Sequence, residues 1–150
     1  MREPVKVVHD DYTAKSAPER VRLYLPQEAD LLLKSRYAVV NVWRPMNGPV
    51  QQTPLAVCDA RTLTERDVLP TEEGVKHEVY LFSFRPRHRW FYFPGMEDDE
   101  ALLIKCFDSL DDGRARLTAH SAFDDPTAPP GARPRESIEV RTLVFFTGEY

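Results

Sequence analysis

Apolar residues along this chain fall mostly in short runs, several of them alternating with polar residues and bounded by proline, glycine or charge. That period suits half-buried strands better than helices. Strands are expected at 5–8 (VKVV), 37–43 (YAVVNVW), 54–60 (PLAVCDA), 115–123 (ARLTAHSAF) and 137–146 (SIEVRTLVFF). The runs HEVYLFSF (77–84) and HRWFYF (88–93) flank Arg85-Pro86-Arg87, which predicts a hairpin turning at Pro86. Residues 98–109 (DDEALLIKCFDS) read as a helical turn that gives way to a strand, and 111–113 (DDG) as a turn. One helix is expected at 26–36 (PQEADLLLKSR), where Pro26 suits the first helical position and Lys34 and Arg36 the last turn. Thr64 caps a further single turn within 64–69.

Composition strengthens the β reading. Thirteen prolines stand against six glycines, a density that long helices do not tolerate. Eight Phe, six Tyr and two Trp suit pleated surfaces. The expected fold is therefore mainly β, a sandwich or open barrel with a helix against it. The 150 residues suit a single domain spanning 1–150, with 124–137 a proline-stiffened loop rather than a linker. A net charge of −4 without a basic face argues against nucleic acid as a partner. Apolar runs such as ALLI and LVFF are too short to cross a membrane, and the N-terminus lacks the apolar stretch of a signal peptide. Cys58 and Cys106 lack metal-type spacing and read as reduced core thiols of a cytoplasmic protein.

Candidate chemistry begins at His9-Asp10-Asp11. On a strand, His9 and Asp11 share a face while Asp10 points away. A histidine beside a carboxylate supplies two ligands of the two-His-one-carboxylate triad that holds ferrous iron. His77, His88 and His120 can supply the third, and His120, within LTAHSAF, is the preferred candidate. The set His88, Asp108 and His120 offers the same chemistry with another carboxylate. Arg135 and Ser137, two apart on the last strand, can together hold a carboxylate such as the distal end of 2-oxoglutarate, and Arg141 shares their face. Tyr12, Trp43, Trp90 and Tyr92 are candidates to line a substrate pocket, although core filling is the plainer role for any one aromatic. Asn41 and Arg44, flanking Trp43, are candidates to touch substrate or cosubstrate. Each element is common by chance; their order along the chain is what raises them together.

Longer words carry more. HDDYT, VVNVWRP, GPVQQTPLAVCDAR, HRWFYFPGM, DEALLIKCFDS, AHSAFDDP and RPRESIEVRTLVFF resemble the AsaB-like hydroxylase/desaturase family, which includes fungal gibberellin desaturases and the cephamycin methoxylation component CmcJ. The resemblance runs in order from about Val8 to Phe146. The family's H-x-D-Y-T word falls on His9, Asp11, Tyr12 and Thr13, and its R-E-S-I-E-V-R word matches Arg135 to Arg141. Its P-H-T-A-F word falls on Ala119 to Phe123, with Ser121 where threonine is usual. The resemblance implies a double-stranded β-helix, a jelly-roll or cupin-like barrel with one or two flanking helices. It also implies an iron(II)- and 2-oxoglutarate-dependent oxidoreductase that uses dioxygen on a small secondary metabolite. Family members carry a long segment ahead of the H-x-D word, so this chain corresponds to the C-terminal part of the family domain and its barrel is expected to be incomplete. A rival expectation follows: an accessory or binding subunit of the same lineage that works with a protein partner. A methyltransferase is disfavoured, because the chain has no G-x-G turn within alternating β and α units.

Overall fold

A computed structural model of the chain describes residues 3–69 and 78–146. Among these lie nine strands and two α-helices: β1 (His9–Asp10), α1 (Ser16–Tyr24), α2 (Ala29–Leu32), β2 (Tyr37–Pro45), β3 (Leu55–Cys58), β4 (Val68–Leu69), β5 (Tyr80–Phe82), β6 (Trp90–Tyr92), β7 (Leu102–Asp108), β8 (His120–Ala122) and β9 (Ser137–Phe145). They form a six-stranded sheet, ordered β4-β5-β1-β8-β3-β6, and a three-stranded sheet, ordered β7-β2-β9. All pairings are antiparallel. This is the mainly β, two-sheet architecture that the strand pattern predicted.

The main core packs Val39, Trp43, Leu55, Ile104, Cys106 and Phe107 with Tyr12, Ala17 and Val21 of the α1 region. A smaller core of Cys58, Phe82 and Ala119, with Trp90 and Leu117 against it, lies elsewhere in the fold. Both cysteines are buried and free.

Local expectations fared unevenly. The longer helix is α1, which the sequence reading passed over, while the expected helix at 26–36 shrinks to the four residues of α2. Helix α1 is started by reciprocal bonds two residues after Asp11. The Thr13 hydroxyl accepts from the backbone N–H groups of Lys15 and Ser16, and the Ser16 hydroxyl accepts from that of Thr13. The expected hairpin does not form, although the turn does, with His88 N–H bonded to the Arg85 carbonyl. Its arms separate, β5 pairing with β1 and β4 and β6 with β3. Register had to be resolved by partners distant in sequence, which a local turn signal does not report. Residues 5–8 form no strand, yet the Val5 carbonyl accepts from Ala122 N–H and the Val8 carbonyl from Phe82 N–H, so the segment runs along the sheet into β1. The Thr64 turn is present, closed by Asp67 in a capping box.

Two features position the site. Strand β2 runs between β7 and β9, and its register with β9 sets Asn41 opposite Arg141, Trp43 opposite Glu139 and Pro45 opposite Ser137. The loop after β2 grips the proline-rich segment before β9. Glu136 N–H donates to Asn47 Oδ1 (3.0 Å), Arg133 N–H to Gln51 Oε1 (3.0 Å), and Arg135 Nη1 to the Thr53 carbonyl (2.7 Å). Thr53 adopts φ +53°, a left-handed conformation that costs a β-branched residue energy and is held there by its surroundings.

Candidate metal centre

His9 and His120 are cross-strand partners on β1 and β8, which places their rings 4.5 Å apart between centroids. Each imidazole is oriented by its own backbone. Nδ1 of His9 lies 2.7 Å from the Val7 carbonyl, and Nδ1 of His120 lies 2.9 Å from that of Thr118. A carbonyl oxygen only accepts, so both Nδ1 atoms donate, which leaves Nε2 of each ring as the nitrogen that can ligate a metal. The Nε2 atoms face the two oxygens of one carboxylate: His9 to Asp11 Oδ1 and His120 to Asp11 Oδ2, each at 3.9 Å. The donor atoms of the three residues lie within 4.8 Å of one another. Two imidazoles and a carboxylate, with the histidines held through their second nitrogens, suit a divalent metal. Burial, with the His9 charge beside it, pulls the His120 pKa below its ordinary value, which favours the neutral, ligating form.

Asp11 is itself held, from the opposite sheet. Asn41 Nδ2 donates to Oδ2 at 2.6 Å and Arg141 Nη2 donates to Oδ1 at 2.8 Å. These two donors are the directly paired residues of β2 and β9, so a single cross-strand pair clamps the carboxylate. Arg141 also donates to Glu139 (3.1 Å) and lies over the Tyr12 ring. Burial alone would lower the Arg141 pKa, but the charges of Asp11 and Glu139 outweigh it and raise it.

The triad opens into a cavity of about 270 Å³ whose walls include Trp43, Leu55, Ala122, Arg135, Ser137 and Glu139. Arg135 sits over the Trp43 ring at 5.2 Å, and burial lowers its pKa. Its Nε is buried and has no hydrogen-bond partner. An orphaned guanidinium N–H beside Ser137 fits an organic acid, whose carboxylate would satisfy it.

The remaining candidates are placed as follows. Asn41 is fully buried and bound to Asp11, so it orients a ligand rather than meeting substrate. Arg141 lines the cavity and pairs its charge with Asp11 and Glu139. Arg44 faces away from the cavity, exposed, with Nε on the Pro45 carbonyl, because strand alternation puts it opposite in face to Trp43. Trp90 packs against the smaller core, and Tyr92 makes an edge contact with Phe123. Tyr12 is buried and lines a separate cavity with Arg20, Tyr24 and Leu25. The alternative ligand set does not assemble. His88 Nε2 lies 3.3 Å from Asp67, and Asp108 is held by a two-pronged bond from Arg36. His77 lies outside the described residues.

A family model described as an oxidoreductase/YMDC permease-like domain matches residues 1–145. The chain is 44% identical over 138 residues to aspirochlorine biosynthesis protein N of Aspergillus oryzae, covering 89% of this chain and 58% of that protein. It is 44% identical over 136 residues to the hydroxylase/desaturase asaB of Aspergillus flavus, covering 79% and 60% respectively. The chain belongs to the AsaB-like hydroxylase/desaturase family. As an AsaB-like chain it also superposes on the iron and alpha-ketoglutarate-dependent endoperoxidase NvfI with a TM-score of 0.87 and 36% identity, covering 95% of this chain and 54% of NvfI. That likeness makes the fold a jelly roll of the oxygenase type. This AsaB-like chain spans little more than half the length of the relatives it matches. Among the described residues no helix is long and apolar enough to cross a membrane.

Proposed function

We propose that the chain is, or forms the metal-bearing part of, an iron(II)- and 2-oxoglutarate-dependent oxygenase that hydroxylates or desaturates a small secondary metabolite. One observation carries the reading: two imidazole Nε2 atoms and a clamped carboxylate converge in one cavity with an arginine whose buried Nε has no partner. The names of the relatives point the same way, since they include a hydroxylase/desaturase and an iron- and alpha-ketoglutarate-dependent endoperoxidase.

In this reading His9, Asp11 and His120 hold the iron. Arg135 and Ser137 bind the far carboxylate of 2-oxoglutarate, and Trp43 and Leu55 provide the apolar wall against which substrate rests. When bound, ferrous iron with 2-oxoglutarate and dioxygen supplies the oxidising power to remove hydrogen from an unactivated carbon. The protein's share is placement. The Val7 and Thr118 carbonyls orient both imidazoles, and Asn41 and Arg141 hold the Asp11 carboxylate aimed at the histidines. Trp43 shields the Arg135 guanidinium and so strengthens its hold on an anion. Two free buried thiols suit a reducing cytoplasm. Nothing in the geometry favours the accessory-subunit reading.

Anaerobic addition of ferrous iron and then 2-oxoglutarate tests this. A weak visible charge-transfer band should appear, and succinate should form once air is admitted. His120→Ala should abolish both. A folded chain that takes up iron yet gives neither band nor succinate would overturn the proposal.

A further inference from the structure

Asp10, between His9 and Asp11 in sequence, is fully buried, and neither of its carboxylate oxygens has a side-chain or backbone partner at ordinary hydrogen-bond distance. A carboxyl group in that condition is costly unless something else satisfies it. Its neighbours are unusual. Cys106 Sγ and a His120 nitrogen lie with an Asp10 oxygen in a group whose atoms are all within 4.8 Å of one another. Cys106 is also fully buried, beside Asp10, with its Sγ 3.6 Å from the Ile104 carbonyl. Its placement comes from a bulge. The β2–β7 register passes from Val39 opposite Phe107 to Val40 opposite Lys105, leaving Cys106 as the extra residue. Bulges of this kind re-aim a side chain.

We propose that Asp10, Cys106 and His120 form a second cation site, specific for a thiophilic divalent ion such as zinc or cadmium. The donor set selects the ion. One thiolate, one imidazole and one carboxylate suit tetrahedral zinc-type coordination with a fourth position left for water. A single oxygen donor is too few for magnesium or calcium, which need oxygen-rich shells. Charge balances too: a thiolate and a carboxylate cancel a divalent ion, so the loaded site is neutral in a dry interior, which an isolated carboxylate is not.

His120 belongs to both donor sets. Its Nδ1 is committed to the Thr118 carbonyl, which leaves one nitrogen for one metal. An ion on Asp10 and Cys106 therefore withdraws His120 from His9 and Asp11, and thiophilic metals would inhibit by displacing a ligand rather than by replacing iron in its own shell. This last step rests on the reading of His9, Asp11 and His120 as the iron site; the cation site itself does not.

Cadmium titrated into the full chain, followed by its thiolate-to-metal charge transfer in the ultraviolet, tests the site. The band should saturate at one equivalent, vanish in Cys106→Ser, persist in Cys58→Ser, and persist in His9→Ala. Asp10→Asn keeps the thiol and should weaken cadmium binding by more than the ~10–100-fold that loss of a mere supporting neighbour costs. Native circular dichroism of each variant guards against misfolding. No band from a natively folded chain, or a band that survives Cys106→Ser, overturns the site. Ferrous iron, once shown to bind, should weaken cadmium binding in proportion to its concentration; no such competition overturns the sharing of His120. A chain that develops the cadmium band but never binds iron would sink the oxygenase reading and leave this site standing.

Discussion

Replacing Asn41 with alanine separates the clamp on Asp11 from the fold that carries it. Asn41 is fully buried, and its Nδ2 donates a 2.6 Å bond to the Asp11 carboxylate. A hydrogen bond to a charged group contributes about 1.5–3 kcal/mol. That range corresponds to roughly 10–100-fold in an equilibrium constant, which is also the usual effect of removing a group that orients a metal ligand. Metal affinity should therefore fall by about one to two orders of magnitude. Folding stability should change much less. The other amide atom, Oδ1, is a buried acceptor without a partner, so its removal offsets part of the loss. The assay is anaerobic titration with ferrous or manganous ion followed by tryptophan fluorescence in a Trp90→Phe background, where Trp43 alone reports, beside urea unfolding of the metal-free chain. The cross-strand partner supplies the control. Arg141→Gln removes the second donor but also a positive charge that repels the metal, so its effect on affinity should be smaller. The double variant should show non-additive behaviour, because both residues act on one carboxylate. If Asn41→Ala lowers stability as strongly as affinity, or leaves affinity within about threefold, the clamp is not what orients Asp11.

Three further outcomes follow from the same structure. Arg135→Lys keeps the charge but loses the planar fork and its contact over Trp43, so the KM for 2-oxoglutarate should rise about tenfold or more while kcat changes little; steady-state succinate formation measures both. For Asp108, burial would raise the pKa, but bonds from Arg36, the Leu110 N–H and Lys105 prevail and hold it below the ordinary carboxylate value. A lowered folded pKa means that this contribution to stability is full above the unfolded value and fades as pH falls through the folded one. Asp108→Asn should flatten the acid limb of the stability curve below about pH 4, read by urea midpoints across pH. Thr13→Ala removes the acceptor that starts α1 and should cost ~1 kcal/mol of stability by urea unfolding, with no change in the wavelength of any metal-dependent band.

How much of this was legible beforehand depended on range. Two-residue alternation along the chain put His9 with Asp11, and Arg135 with Ser137, Glu139 and Arg141; the cavity lining contains all six. The same rule, applied to β2, separates Trp43 from Arg44 and would have removed Arg44 from the candidates. Aromatic side chains misled because burial satisfies them in any core: Trp90 met Cys58, Phe82 and Ala119 instead of a substrate pocket. The start of α1 was written in Thr13 and Ser16, whose hydroxyls bond each other's backbone N–H groups, and the sequence reading passed over it.

Strand alternation, turn residues and the spacing of His9 to Asp11 belong to the sequence alone, because they act between residues one to four positions apart. Which strands became neighbours was decided only in three dimensions. His120 lies opposite His9 across more than a hundred residues of chain, and Asn41 and Arg141 meet Asp11 from another sheet. Such pairings are chosen by which whole set of faces can be buried at once, and no short window of sequence contains that information.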